Sequence, residues 1–277
     1  MKLVWQILAV VLACAVGGQG ATAVQDNPWL SLLVGSLTVV LSVLVYRWVV
    51  GRTERRPVTE LAPEGAPGAL LRGLVIGVAM FGSVIANIYF LGDYKVHGFG
   101  SPTGAIGLIG FMAGAAVTEE LMFRGLLFRL VERGLGTYIA LALSSTVFGA
   151  VHLLNKDATL LGGVAIAIEA GGMLAAAYAA TRSLWLPIGL HFGWNFAESG
   201  IFGTEVSGNG DTHGLLDAST SGAKLITGGG FGPEASVYAT LFGALLTLVF
   251  LRLARRRGHI VPRQRAERID AIATLAR

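Results

Sequence analysis

The sequence predicts an all-α, polytopic membrane helix bundle of about eight transmembrane helices, and three observations carry that prediction. Of the 277 residues, 53% are hydrophobic and only 14% are charged, against about 25% charged in soluble domains. Apolar stretches of roughly twenty residues, enough to cross a ~30 Å hydrocarbon core as helices, follow one another along the chain. The connections between them hold most of the arginines. The net charge of +4 therefore reads as a topology signal and not as a nucleic-acid footprint. One cysteine, Cys14, excludes an internal disulfide and a cysteine-based metal cage.

Residues 3–23 read either as a retained first helix or as a signal peptide ending at Ala21-Thr22-Ala23. Their length, beyond the about 7–15 apolar residues of a signal core, favours retention; cleavage would leave seven spans. Residues 29–50 form the next span, with Trp29 and Trp48 as interfacial anchors and Arg47 able to snorkel. A polar connection at 51–72 is broken by Pro57, Pro63 and Pro67. Further spans are expected at 73–91, 105–130, 138–154, 159–180, 184–202 and 235–253, with loops at 92–103 and, glycine-rich, at 203–233. Three regions result: N-terminal helices and a cytoplasmic loop at 1–72, a helix bundle at 73–253 with its motif-bearing core at 104–202, and a basic cytoplasmic tail at 254–277.

With the N-terminus inside, the inner segments hold Lys2, Arg52, Arg55, Arg56, Arg72, Arg129, Arg133, Arg182 and the arginines of the tail. The outer loops hold only Lys95, Lys156 and Lys224. This bias predicts a multi-pass protein of the cell membrane with both termini cytoplasmic.

A charged side chain at mid-bilayer costs at least ~2.5–3.5 kcal/mol, so Glu119, Glu120 and Arg124 within one span need a reason. Spacing of i,i+4 sets Arg124 over Glu120 in the favourable acid-first order, a structural pair. Glu119 projects elsewhere without a same-helix partner, which leaves it free to serve as a general base. Phe148 and His152 lie one turn apart on the next span. His191 and Asn195, again i,i+4, put two polar groups on one face of a later span. Glu198 shares that face nearer the boundary and either supports the site from behind or, the favoured reading, sits at the interface. Glu169, mid-span among small residues, either extends the site or meets a neighbouring helix. A base, two imidazoles and an amide form an inventory for hydrolysis: Glu119 with one histidine activates water, and the other histidine with Asn195 stabilises an oxyanion. A proton-coupled transporter, with Glu119, Glu169 and the histidines as a relay, is the competing reading.

Glu119-Glu120…Arg124, Phe148…His152 and His191…Asn195, in this order on successive spans, resemble the three motifs of the CAAX-protease and bacteriocin-processing (CPBP, or Abi) family. The resemblance implies an intramembrane endopeptidase acting on prenylated CAAX-type or other membrane-associated proteins within the lipid bilayer. It implies that Glu119 and His152 activate the water and that His191 and Asn195 line the oxyanion site, with Glu120, Arg124 and Phe148 in support. Some relatives are catalytically silent scaffolds or bacteriocin immunity proteins. The sequence has no His-Glu-x-x-His, so no cofactor is expected and zinc is disfavoured.

Overall fold

The structure is a computed structural model that describes residues 2–210 and 213–263. The end of the predicted basic tail, with Arg265, Arg268 and Arg277, lies outside the described residues. The helices are α1 (Lys2–Ala23), α2 (Pro28–Glu54), α3 (Ala66–Phe90), α4 (Pro102–Glu120), α5 (Arg129–Leu135), α6 (Thr137–Val151), α7 (Leu160–Ile166), α8 (Met173–Thr181), α9 (Trp185–Asn195), α10 (Lys224–Thr227) and α11 (Val237–Arg256). A π-helical segment, Leu121–Phe128, joins α4 to α5, and a second, Ala167–Gly172, joins α7 to α8. Seven stretches among the described residues are long and apolar enough to cross a membrane: Val4–Ala23, Pro28–Glu54, Ala66–Phe90, Pro102–Leu135, Thr137–Leu154, Leu160–Thr181 and Val237–Arg256. The chain is an all-α polytopic bundle.

The predicted span at 184–202 differs from the rest. It has 11 residues of α-helix in α9 and six of π-helix, Phe196–Ile201, about 25 Å at 1.5 Å per residue. Most of α9 is buried by other helices, so its apolar character serves the protein core more than lipid.

Local chemistry explains the helix starts. Asn27, Ser101 and Ser236 each accept backbone N–H groups at the starts of α2, α4 and α11. Pro28 and Pro102 supply the pre-set φ of a first helical position. Glycines then set how closely the helices cross. A Cβ on Gly73 or Gly77 of α3 would meet the backbone of α9, and one on Gly189 or Gly193 would meet that of α3. This paired small-x-x-x-small contact seats α9, and His191 with it, against α3. Gly35 of α2 and Gly110 of α4 make an equivalent close crossing, which helps fix the helix carrying Glu119. α1 packs on α2, with Val10 and Cys14 buried in the main core.

Two loops expected to be irregular pair instead. β1 (Tyr94–Phe99) and β2 (Leu216–Thr220) form an antiparallel two-stranded sheet with a register shift between Val96 and Gly98. At the arginine-rich end of the bundle, Glu54 is bonded by Arg56 at 2.8 Å, by Arg129 at 2.6 Å and by Arg133. Glu60 takes Arg56 at 2.7 Å and the Tyr46 hydroxyl at 2.8 Å, and Glu132 takes Arg182 at 2.5 Å.

Candidate active site

The long helix through α4 carries the two adjacent glutamates at the point where it turns π-helical. Glu120 is fully buried, and its Oε1 accepts Arg124 Nη1 at 2.8 Å, the pair that i,i+4 spacing predicts. Arg124 is 1% exposed and spends its second terminal nitrogen, Nη2, on the carbonyls of Ala170 and Gly171, while Nε has no partner among the described residues. Its guanidinium carbon stands 4.5 Å from the centroid of the Phe148 ring, a cation–π contact.

The same Glu120 oxygen lies 2.9 Å from His191 Nδ1, a contact between residues 71 apart in sequence. A carboxylate accepts and does not donate, so Nδ1 carries the hydrogen and Nε2 is turned towards Glu119 Oε2, 3.8 Å away. That Glu119 oxygen is buried and has no hydrogen-bond partner among the described residues, while the side chain as a whole stays 27% exposed. Glu120 is thus bonded through one oxygen, its Oε2 left without a partner among the described residues, and Glu119 Oε2 is bare. Glu120 does more than neutralise Arg124, because it also orients an imidazole.

His152 enters from the end of α6, where Phe148 and His152 share a face. Its Nδ1 donates to the Phe148 carbonyl at 2.8 Å, which leaves Nε2 for the cleft. The Phe148 ring is 4.7 Å from the His152 ring and 6.1 Å from that of His191, so one buried aromatic packs against both imidazoles and the arginine. Asn195, one turn beyond His191 on α9, lines the same cleft as Phe148, His152 and His191. The structure therefore brings all seven motif residues together. The imidazole it sets beside Glu119 is His191.

The structure decides two glutamates that the sequence left open. Glu198 is fully buried and not interfacial, because Phe196–Ile201 is covered by the loop that follows and by Glu234. Glu169, also fully buried, extends the site by lining the cleft. Sequence reasoning missed Glu234 and Ser207, which line the cleft too. The only signal was a glutamate between Pro233 and the last apolar run; nothing local marks it as buried.

Helical regularity breaks where the site is built. Residues in π-helix make up well under 1% of typical chains, and such segments often mark functional sites. Here Leu121–Phe128 begins directly after Glu120, Ala167–Gly172 contains Glu169, and Phe196–Ile201 contains Glu198. Among the described residues, no three His, Cys, Asp or Glu side chains are arranged to hold a metal ion.

Residues 101–197 match the family model described as type II CAAX prenyl endopeptidase Rce1-like. Over that stretch the chain is similar to the Rce1-like family. All seven motif residues fall inside the matched stretch, whereas Glu198 and Glu234 lie beyond it. No curated protein and no solved structure matches the chain. The seven apolar helices support a multi-pass membrane protein, and the similarity over 101–197 supports a general intramembrane protease function.

Proposed function

We propose that the Rce1-like chain is a glutamate-dependent endopeptidase that hydrolyses a peptide bond of a membrane-embedded or prenylated CAAX-type protein. In this reading Glu119 removes a proton from water as the oxygen attacks the scissile carbonyl. The developing oxyanion is met by the Asn195 amide and by Nε2–H of a doubly protonated His191, whose Nδ1–H is held by Glu120. His152, its ring held by the Phe148 carbonyl, exchanges protons through Nε2. Glu120, Arg124 and Phe148 keep the two imidazoles in place. The reaction is read as metal-free, and the protein as residing in the cell membrane with both termini cytoplasmic.

The observation that carries the proposal is the bare Glu119 oxygen 3.8 Å from an imidazole whose other nitrogen is already committed to Glu120. General-base catalysis contributes typically 10²–10⁴-fold. The test is cleavage by purified protein in liposomes, with prenylated CAAX-type peptides and unmodified transmembrane peptides as substrates and products read by mass spectrometry. The expected result is one endoproteolytic cut that persists in chelator and falls about 10³-fold in Glu119→Gln. Cleavage that survives the substitution, or a wild type inert towards every peptide, would contradict the proposal. Loss of cleavage on chelation, restored by zinc, would replace the metal-free version with a metalloprotease.

A further inference from the structure

Three carboxyls outside the seven motif residues crowd the side of the cleft next to His152. Glu169 and Glu234 line the cleft, and Glu198 stands behind Glu234, accepting its backbone N–H at 3.4 Å. Glu169 and Glu198 are 0% exposed and Glu234 is 2% exposed. Both oxygens of Glu169, Oε2 of Glu198 and Oε1 of Glu234 have no hydrogen-bond partner among the described residues. The Glu198 and Glu234 carboxyls act on each other through their charges, and Ser207 lines the cleft beside Glu234. The Arg124 guanidinium is committed to Glu120 and to the carbonyls of Ala170 and Gly171, and no salt bridge joins it to Glu169, Glu198 or Glu234 among the described residues.

Such a group cannot be fully ionised. Removing a carboxylate from water costs several kcal/mol, and adjacent like charges add to the cost unless protons are held. Burial raises the Glu234 carboxyl above the usual range, although Ser207 and His152 work against it. Two of the three carboxyls sit on π-helical segments, so regular hydrogen bonding is given up where they are placed. An acidic cluster alone would mark nothing. Here, the wholly unpartnered Glu169 and the shared lining with His152 and Asn195 tie the cluster to the cleft.

We infer that Glu234, backed by Glu198, is the proton store that reloads His152 during peptide hydrolysis. The inference rests on the protease reading above. Water gives one proton to Glu119, and its hydroxide forms the new C–O bond. When the C–N bond breaks, the leaving amine takes the proton on His152 Nε2. A proton then passes from the Glu198–Glu234 pair to His152, Glu119 loses its proton to solvent, and the pair is recharged from water. Donor and acceptor are restored, and the products are one carboxylic acid and one amine. Glu234 acts through His152 and is a positioning and proton-supplying residue.

Glutamine matches glutamic acid in volume and in donating a hydrogen bond but releases no proton, so Glu234→Gln separates the store from a purely structural role. In liposomes this variant should cleave with kcat about 10²-fold below wild type and KM unchanged, while Glu234→Asp recovers part of the rate. Glu198→Gln should give a smaller loss of the same kind. Independently of activity, infrared difference spectra of the wild type should show the C=O stretch of a protonated carboxylic acid, reduced in Glu234→Gln. An unchanged kcat in Glu234→Gln, or a wild type without that band, would overturn the store. If the wild type cleaves nothing, the protease reading falls, and the band alone decides whether the cluster holds protons.

Discussion

Glu54, Glu60 and Glu132 at the arginine-rich end each hold at least one guanidinium, with Glu54 gathering Arg56, Arg129 and Arg133. In and around the cleft, Glu169, Glu198 and Glu234 are as deeply buried and Glu119 is partly exposed, yet each keeps at least one oxygen without a partner, as does Glu120 beside its bond to Arg124. Leaving a buried polar group unsatisfied costs about 1–3 kcal/mol. A fold that pairs its acids at one end and leaves them bare at the other has not run out of arginines. Arg124, beside the cleft, turns its two terminal nitrogens to Glu120 and two carbonyls and leaves Nε without a partner among the described residues. The contrast separates acids that hold the bundle together from acids kept available for protons, as is expected where local rules are broken at functional sites.

The largest effect on stability should come from the paired end. Glu54→Gln removes the charge that three arginines share, and the unfolding free energy in detergent should fall by about 1.5–3 kcal/mol. Cleavage per folded molecule should not change. A variant as stable as wild type would mean that the network is ornamental and would weaken the contrast. Next in size is Glu169→Leu, which replaces a wholly unpartnered carboxyl with an apolar group of similar volume. Melting temperature should rise, by the equivalent of about 1 kcal/mol. A large drop instead would show that Glu169 has a stabilising partner.

The smallest effect is a pH dependence. Burial pushes the Glu60 carboxyl up, but hydrogen bonds from Arg56 and Tyr46 and the charge of Arg129 hold it below the ordinary 4.5. A carboxyl depressed in the folded state adds stability that is complete above the unfolded value and is lost as pH falls through the folded one. Wild type should therefore lose melting temperature below about pH 4.5, and Glu60→Gln should lose less of it. Parallel curves for the two proteins would remove Glu60 from the stabilising end.

The sequence made the lipid-facing architecture legible because hydropathy acts residue by residue: each of the seven apolar helices falls on a predicted span. The Glu120–Arg124 pair and the shared face of Phe148 and His152 were legible because helical spacing alone sets them. The bond from His191 to Glu120 was not, since it depends on how α9 lies against α4, a contact between residues 71 apart that no local spacing sets. Glu198 was misplaced because a period of 3.6 assumes regular helix, and the chain turns π-helical at Phe196–Ile201. Glu234 gave no signal, since its burial comes from the loop over the cleft and not from its neighbours in sequence. The β1–β2 pairing joins strands more than a hundred residues apart, beyond the reach of local pattern.

The central claim is that Glu119 is bare for a chemical reason and that the bundle does not need it. It is tested most directly by measuring the melting temperature and the cleavage rate of Glu119→Gln on one preparation. The account predicts a melting temperature equal to or above that of wild type, with cleavage nearly abolished. A variant that unfolds early, or one that cleaves at the wild-type rate, would contradict it.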